Sequence, residues 1–166
     1  EEDLLKSLSG KLKADPEHLL ARVESLEKEL KESRSQCEQL KAKLANAEVE
    51  DLAVVEYKDC SLVAANIPGM DRNALRNLGD SLKDKHKNAF ILLASVEDGK
   101  PILMATASDG AVKLGAHAGN LIKEIAPILG GGGGGKPQMA QAGGKDSAKL
   151  EEALKQSLES MKKQLG

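Results

Sequence analysis

The sequence NAFILLASVEDGKPILMATAS (residues 88–108) joins two apolar runs through one tight turn. Residues 89–94 are continuously apolar and of strand length, which is typical of a strand buried on both faces of a sheet. Asp98 and Gly99 predict a two-residue hairpin turn, because both residue types tolerate positive φ. The chain is expected to return as a strand over residues 102–108. This stretch therefore predicts the central hairpin of a small sheet.

Further strands and helices are predicted on both sides of this hairpin. Residues 61–67 indicate a short strand, residues 52–57 an additional earlier one, and Asp71 a helix cap between the strand and the hairpin. Residues 117–126 and the segment after Asp146 each carry apolar residues at helical spacing. The resulting order of elements favours a mixed sheet covered by helices.

The first third of the chain predicts a long helix. Asp15 and Pro16 form a typical helix start, and a shorter first helix is expected to break near Gly10. Apolar residues then follow a heptad spacing, which is typical of a coiled coil. The seam residues are Leu19, Val23, Leu26, Leu30, Ser33, Cys37, Leu40, Leu44 and Ala47. The predicted fold class is α+β: a helical coiled-coil arm over residues 1–50, then a mixed-sheet α/β subdomain over residues 51–166.

A seam of this length must be covered by another helix. The charges that flank it favour a parallel pair with a second copy of this chain, although exposed pairs contribute only about 0.2–1 kcal/mol each. The alternative is a helical hairpin arm within one larger chain. Cys37 at a seam position is interpreted as a small hydrophobe rather than a reactive thiol.

Composition excludes several classes of protein. The 166 residues carry 24 basic and 26 acidic side chains, a net charge of −2, which excludes a polybasic nucleic-acid tail. The aromatic residues are Tyr57 and Phe90, too few for a base-stacking platform. Two cysteines do not make a disulfide framework, and no apolar run is long enough to span a bilayer. The low cysteine content favours a cytoplasmic setting, and no membrane partner is expected. Because the sequence does not begin with Met, we expect a piece of a longer polypeptide.

Six consecutive glycines, Gly130 to Gly135, are the most informative local feature. Their backbone can approach a ligand closely, and successive N–H groups can form an anion-binding nest. Lys136 and Lys145 flank the segment, and a helix start at Asp146 adds a favourable dipole. Composition alone is equally compatible with a flexible linker. A nucleotide-binding P-loop is excluded, because Pro137 replaces the Ser or Thr that would hold Mg²⁺.

Four segments resemble the C-terminal region of bacterial alanyl-tRNA synthetase, a domain shared with the DHH phosphoesterases and called DHHA1. They are HAG at residues 117–119, KEIAPIL at 123–129, the glycine run, and MAQAGGK at 139–145. The similarity extends upstream through SVEDGK at 95–100 and the helix at 71–85, and residues 11–29 resemble the arm before that domain. The resemblance thus covers nearly the whole chain.

The resemblance implies a non-catalytic domain that binds the elbow of tRNA(Ala), supports aminoacylation and editing by upstream domains of the same polypeptide, and forms a homodimer through its helical arm. It implies no cofactor in this segment, whereas the parent ligase would use ATP and Mg, with Zn in its editing domain. The expected RNA-binding residues are Gly130, Gly131, Gly132, Gly133, Gly134, Gly135, Lys136, Gln141, Gly143, Gly144, Lys145, Lys123, Lys113 and His117.

Some assignments remain open on the sequence. His117 is compatible with a structural hydrogen bond or with a phosphate contact. A second basic cluster (Arg72, Arg76, Lys83, Lys85 and Lys87) is either a solvated face or a further RNA contact. Two other functions compete with tRNA binding: the substrate-binding domain of a DHH-type phosphoesterase acting on short nucleic acids, and a purely structural dimerisation module.

Overall fold

A computed structural model describes residues 2–50 and 52–166, with side chains described in residues 3–37 and 52–166. The chain divides into two compact units, Glu1–Ala42 and Lys43–Gly166. The predicted domain boundary at residue 50 stays a prediction. No helix among the described residues is both long and apolar enough to cross a membrane.

The first unit is helical. Helix α1 spans Glu2–Leu12, a 3-10 turn covers Pro16–His18, and helix α2 spans Leu19–Glu50. The break expected near Gly10 comes two residues later: α1 ends at Leu12, before Lys13 in the left-handed region (φ 51°). The expected helix cap was wrong. Asp15 makes no side-chain cap, so Pro16 alone marks the start with its fixed φ.

The second unit is a six-stranded mixed sheet with helices on both faces. Its strands are β1 (Val54–Tyr57), β2 (Cys60–Asn66), β3 (Ala89–Glu97), β4 (Lys100–Ala107), β5 (Gly132–Gly135) and β6 (Met139–Gly143). The helices are α3 (Arg72–Lys85), α4 (Asp109–Lys113), α5 (Ala118–Ile125) and α6 (Leu150–Leu165). The order across the sheet is β1-β2-β3-β4-β6-β5, and only β2 and β3 run parallel.

The central hairpin is confirmed. Strand β3 is buried over its first seven residues, and Asp98 and Gly99 both have positive φ in the turn to β4. Asp71 caps α3 by accepting a hydrogen bond from the N–H of Ala74 at 2.8 Å. The expected early strand forms as β1.

Two cores hold the helices on the sheet. On one face Leu62, Phe90 and Leu92 pack with Leu121 of α5 and Met161 of α6. On the other face α3 buries its apolar stripe of Leu75, Leu78 and Leu82 against Ile91 and Leu93, among other residues. Alternate residues of β3 thus serve opposite cores, which is why its sequence is continuously apolar. The α+β fold class is confirmed.

The sheet also buries one thiol. Cys60 is fully buried in the first core, and burial, followed by the carboxylate of Glu56, raises the pKa of its thiol to about 11. Cys37 of the helical unit is exposed. Because the thiolate is the reactive form, only Cys37 should react in the folded chain.

We therefore expect iodoacetamide at pH 8 to alkylate Cys37 in the native chain at dilutions where α2 is unpaired, and Cys60 only after denaturation. Mass spectrometry of proteolytic peptides, taken at intervals during labelling, measures both rates. Equal rates for the two thiols in native buffer would contradict the burial of β2.

Candidate nucleic-acid interface at the glycine strand

The glycine run forms the edge strand of the sheet. Gly132–Gly135 pair antiparallel with β6, in a register that joins Gly132 to Gly143 and Gly134 to Gln141. Of the six glycines only Gly130 has positive φ, where it ends a 3-10 turn over Ala126–Leu129. A nest requires successive N–H groups turned to one side. The predicted anion nest is therefore wrong, because the run is extended and its donors alternate in direction.

Most of the expected backbone donors are already engaged. The N–H groups of Gly130 and Gly131 donate to the carbonyls of Pro127 and Ala126. Lys136 and Met139 exchange both backbone hydrogen bonds at the turn of the hairpin. Bonded and non-bonded pairs alternate along an antiparallel ladder, so Gly132 and Gly134 direct their backbone groups toward β6.

The same alternation leaves two donors on the outer side of the sheet. The N–H groups of Gly133 and Gly135 point away from β6. Among the described residues, neither group donates to a backbone carbonyl outside the strands. Within the described part of the chain, strand β5 has no further strand beside it, although the carbonyl of Gly135 lies close against Gly119 of α5. The outer edge of the sheet thus presents main-chain donors that have no protein strand to bind.

Glycine is sterically required at every second position of the run. A Cβ on Gly133 would lie 2.5 Å from the Cβ of Ala142, and one on Gly135 would lie 2.5 Å from the Cα of Ala140. Gly131 is blocked in the same way, with the Cα of Gly144 at 2.6 Å. Real Cβ atoms do not approach other atoms so closely, so side chains here would push β5 off the sheet.

The alternate positions are open. A Cβ on Gly132 would meet nothing within 4 Å, and one on Gly134 would meet only the Cε of Lys123 at 3.9 Å. Packing therefore does not explain why these two residues are glycine. Their missing side chains leave open space beside the two free donors, and Gly134 stands between these donors in the chain.

Three of the expected lysines surround this edge. Lys123 lies on α5, which packs against β5; Lys136 follows the strand directly; and the Cβ of Lys145 lies 3.9 Å from where a Cβ of Gly130 would stand. All three are exposed, and none forms an ion pair within the described part of the chain. Lys113 ends α4, which contacts β3, and two strands separate β3 from β5. The described contacts do not bring Lys113 to the edge.

His117 has a structural role at the start of α5. Its Nδ1 accepts the N–H of Asn120 at 3.1 Å, and its own N–H donates to the side chain of Gln164. The first amides of α5 donate to the carbonyls of Lys136 and Pro137, which fixes the hairpin turn on the helix. A phosphate contact by His117 stays a prediction, and it would have to use Nε2.

The dipole expected after Lys145 does not reach the glycine strand. The N–H groups of Lys145 and Asp146 both donate to the carbonyl of Leu129, and the side chain of Asp146 caps a 3-10 turn. Both N–H groups are therefore already hydrogen-bonded within the protein. Gly144 is a packing residue, since a Cβ there would lie 2.7 Å from the Cβ of Leu129. Gln141 and Gly143 are half-buried on β6, opposite Gly134 and Gly132.

One residue of the second basic cluster lies beside the strand, although the expected RNA-binding residues did not include it. The Nη2 of Arg72 lies 3.5 Å from the position a Cβ of Gly143 would take. The cluster on α3 otherwise divides: Lys83 pairs with Asp80 at 2.8 Å, and Arg76 is exposed. No sequence signal separates Arg72 from its neighbours, because its position depends on how α3 crosses the sheet.

The described residues hold no group of three or more His, Cys, Asp or Glu side chains arranged for a metal ion. The edge around β5 is instead a surface of backbone N–H groups, lysines and one arginine. Such a surface suits a polyanion bound through its phosphates.

Comparison with known proteins gives consistent results. A family profile described as the DHHA1 domain matches residues 59–163. The alanine–tRNA ligase 1 of Lachnoclostridium phytofermentans is 47% identical over 166 residues, covering 99% of this chain. The alanine–tRNA ligase of Acetivibrio thermocellus is 41% identical over 167 residues, again covering 99%. The chain spans 19% of the length of each of these relatives.

A solved structure shows the same fold. The C-Ala domain of the alanyl-tRNA synthetase from Aquifex aeolicus superposes with a TM-score of 0.61 and 29% identity. The match covers 67% of this chain and 99% of that one.

The alternation along β5 predicts that substitutions at neighbouring positions differ in their effect on stability. Gly133→Ala should lower the free energy of unfolding by about 1–3 kcal/mol, because its methyl group overlaps β6. Gly132→Ala should change it by less than about 0.5 kcal/mol, because that methyl enters open space. Urea titration, with the alkylation of Cys60 as the readout of unfolding, reports on the stability of this unit of the chain. Equal losses at both positions would contradict the strand geometry.

Proposed function

The chain belongs to the DHHA1 domain family, and from this membership we propose that its sheet unit binds the elbow of tRNA(Ala) as the C-terminal domain of an alanine–tRNA ligase. The curated relatives that match almost the whole chain are alanine–tRNA ligases. Upstream domains of the same polypeptide are its proposed partners, since the chain spans only 19% of those relatives. The proposed compartment is the cytoplasm.

The free edge of β5 is the observation that carries this proposal. The elbow, where the D and T loops meet, is a folded surface of phosphates, riboses and one outermost base pair. Folded RNA is recognised mainly through phosphate and 2′-OH contacts. The N–H groups of Gly133 and Gly135 supply neutral donors, and Lys123, Lys136 and Lys145 supply charge. The bare Cα atoms of Gly132 and Gly134 let an RNA backbone approach these donors closely.

In this proposal the segment itself carries out no chemistry. Aminoacylation and editing belong to the upstream domains, and the ATP, Mg and Zn of the parent ligase belong there too. The C-terminal unit contributes by holding one tRNA while both centres act on it. Its near-neutral net charge of −2 implies that binding depends on the local patch and is sensitive to salt.

Binding of transcribed tRNA(Ala) to this chain tests the proposal. We expect binding that is lost with a truncated tRNA lacking the elbow. Lys136→Ala and Lys145→Ala should each weaken binding and reduce the salt slope by about one. Gly134→Ala should weaken binding without loss of stability, because its methyl group stands between the free donors. Equilibrium filter binding at several salt concentrations measures all of these effects.

Matched variants and RNAs give the controls. Lys155→Ala removes an exposed lysine from α6 and should leave binding unchanged. Tight binding of short single strands in preference to the elbow would favour the substrate-binding domain of a DHH-type phosphoesterase. Absence of RNA binding would favour a purely structural dimerisation module. Unchanged affinity and slope in the Lys136/Lys145 double variant would remove the glycine strand from the site.

We also propose that α2 pairs in parallel with α2 of a second copy. Its 32 residues extend over roughly 48 Å, and two of its seam residues are exposed: Val23 at 37% and Leu30 at 52%. Cys37 is exposed as well. The side chains of Leu40 and Leu44 lie outside the described residues. Arg22 pairs with Glu29 of its own helix at 3.4 Å, and such an exposed pair contributes little.

Charged substitutions in the seam test this pairing. We expect the chain to sediment as a dimer at about 100 µM, a concentration at which weak coiled coils are populated. Val23→Glu with Leu30→Glu should give a monomer, because both charges would be buried in the seam. Ala21→Glu with Ser35→Glu adds the same charge away from the seam and should remain dimeric. A monomeric wild-type chain at this concentration would contradict the proposal.

A further inference from the structure

Arg72 lies where the sheet edge meets the start of α3. It is the first residue of α3, directly after the cap Asp71. Its Nη2 lies 3.5 Å from where a Cβ of Gly143 would stand, and Gly143 pairs with Gly132 across the last two strands. The guanidinium therefore lies over the end of the β5–β6 pair, next to the open position at Gly132.

The fold itself gains nothing evident from this charge. A cation in the first turn of a helix opposes the helix dipole, and the first turn of α3 holds no acidic residue. The Oδ1 of Asp71 is engaged with the N–H of Ala74. The ion pairs of the described residues do not include Arg72. Its side chain is exposed and thus accessible to a ligand.

The two helices beside the edge approach it from opposite faces of the sheet. Helix α3 packs on the core that contains Ile91 and Leu93, whereas α5 packs on the core that contains Phe90 and Leu92. Lys123 of α5 comes within 3.9 Å of the open position at Gly134. Arg72 and Lys123 thus both stand beside the bare strand, although their helices pack on opposite faces of the sheet.

We propose that Arg72 is a phosphate contact of the RNA surface, so that the ribose–phosphate backbone runs along the glycine strand between Arg72 and Lys123. A guanidinium binds a phosphate through two parallel N–H groups, a geometry that lysine does not offer. This inference rests on the proposed function. It adds a contact on the α3 face, which extends the site beyond the glycine strand and its flanking lysines.

Two other cations of α3 differ from Arg72 in their surroundings. Lys83 is held by Asp80 at 2.8 Å. Arg76 lies one helical turn beyond Arg72, is exposed, and forms no ion pair within the described residues. Arg76→Ala therefore removes the same charge from the same helix, one turn further from the start of α3. It is the matched control for the position of Arg72.

The test compares binding of transcribed tRNA(Ala) by the wild-type chain, Arg72→Ala, Arg72→Lys and Arg76→Ala. Arg72→Ala should bind about tenfold more weakly, as for the loss of one charge-assisted hydrogen bond, and its salt slope should fall by about one. Its melting temperature should stay equal or rise, because the unfavourable charge at the helix start is gone. Arg72→Lys should keep the wild-type salt slope, and its affinity should lie between those of Arg72→Ala and the wild-type chain.

A double-mutant cycle with Gly132→Ala locates the contact. Arg72 and Gly132 should couple, because both lie against the same RNA segment. Equal losses of tRNA affinity from Arg72→Ala and Arg76→Ala would indicate a general charge effect and would overturn the inference. An unchanged salt slope in Arg72→Ala would also overturn it. If Gly134→Ala weakens binding while Arg72→Ala does not, this inference fails and the proposed function stands. A wild-type chain that does not bind the tRNA overturns both.

Discussion

The close approach of β5 to β6 is the constraint on which the candidate site depends. Side chains at Gly131, Gly133 or Gly135 would overlap the neighbouring strand, so the pairing exists only because these residues have none. The pairing in turn determines which amides are engaged and which point outward. The same residues that allow the strand to pair also define the surface it leaves free.

This constraint is held in place by the rest of the sheet unit. The buried strands β3 and β4 support β6, and the first amides of α5 bind the carbonyls of the β5–β6 turn. Helix α5 is itself anchored on α6, where the Ser160 hydroxyl donates to the carboxylate of Glu124. A strand of four glycines has little intrinsic tendency to stay extended. Its conformation is therefore imposed by its neighbours.

The sequence predicted most of the fold because the fold rests on hydrophobic pattern and turn chemistry. The Asp98-Gly99 turn and the Asp71 cap depend on adjacent residues, and the apolar run at residues 89–94 shows its burial by its composition. Each is found in the structure. The glycine run was not recognised as a strand, because glycine carries no periodicity. Its conformation comes from β6 and α5, which are partners in space.

The site was predictable by residue type but not by geometry. Lys123, Lys136 and Lys145 were selected because they lie near the glycines in sequence, and they surround the strand. Lys113 was selected on the same ground, but its helix contacts a strand that lies elsewhere in the sheet. Arg72 lies 60 residues before the strand, so only the crossing of α3 over the sheet brings it near. Proximity in sequence was thus a useful but incomplete guide to proximity in space.

A sheet edge that is open to nucleic acid is also open to another polypeptide. Unpaired edge strands are templates for aggregation, and proteins protect them by keeping them short, charged or poor in strand-forming residues. Strand β5 has all three protections: four residues, flanking lysines, and glycine throughout. A second protein strand would gain no side-chain contacts there and would meet positive charge. The edge thus disfavours the pairing of a second protein strand while it remains accessible to a phosphate backbone.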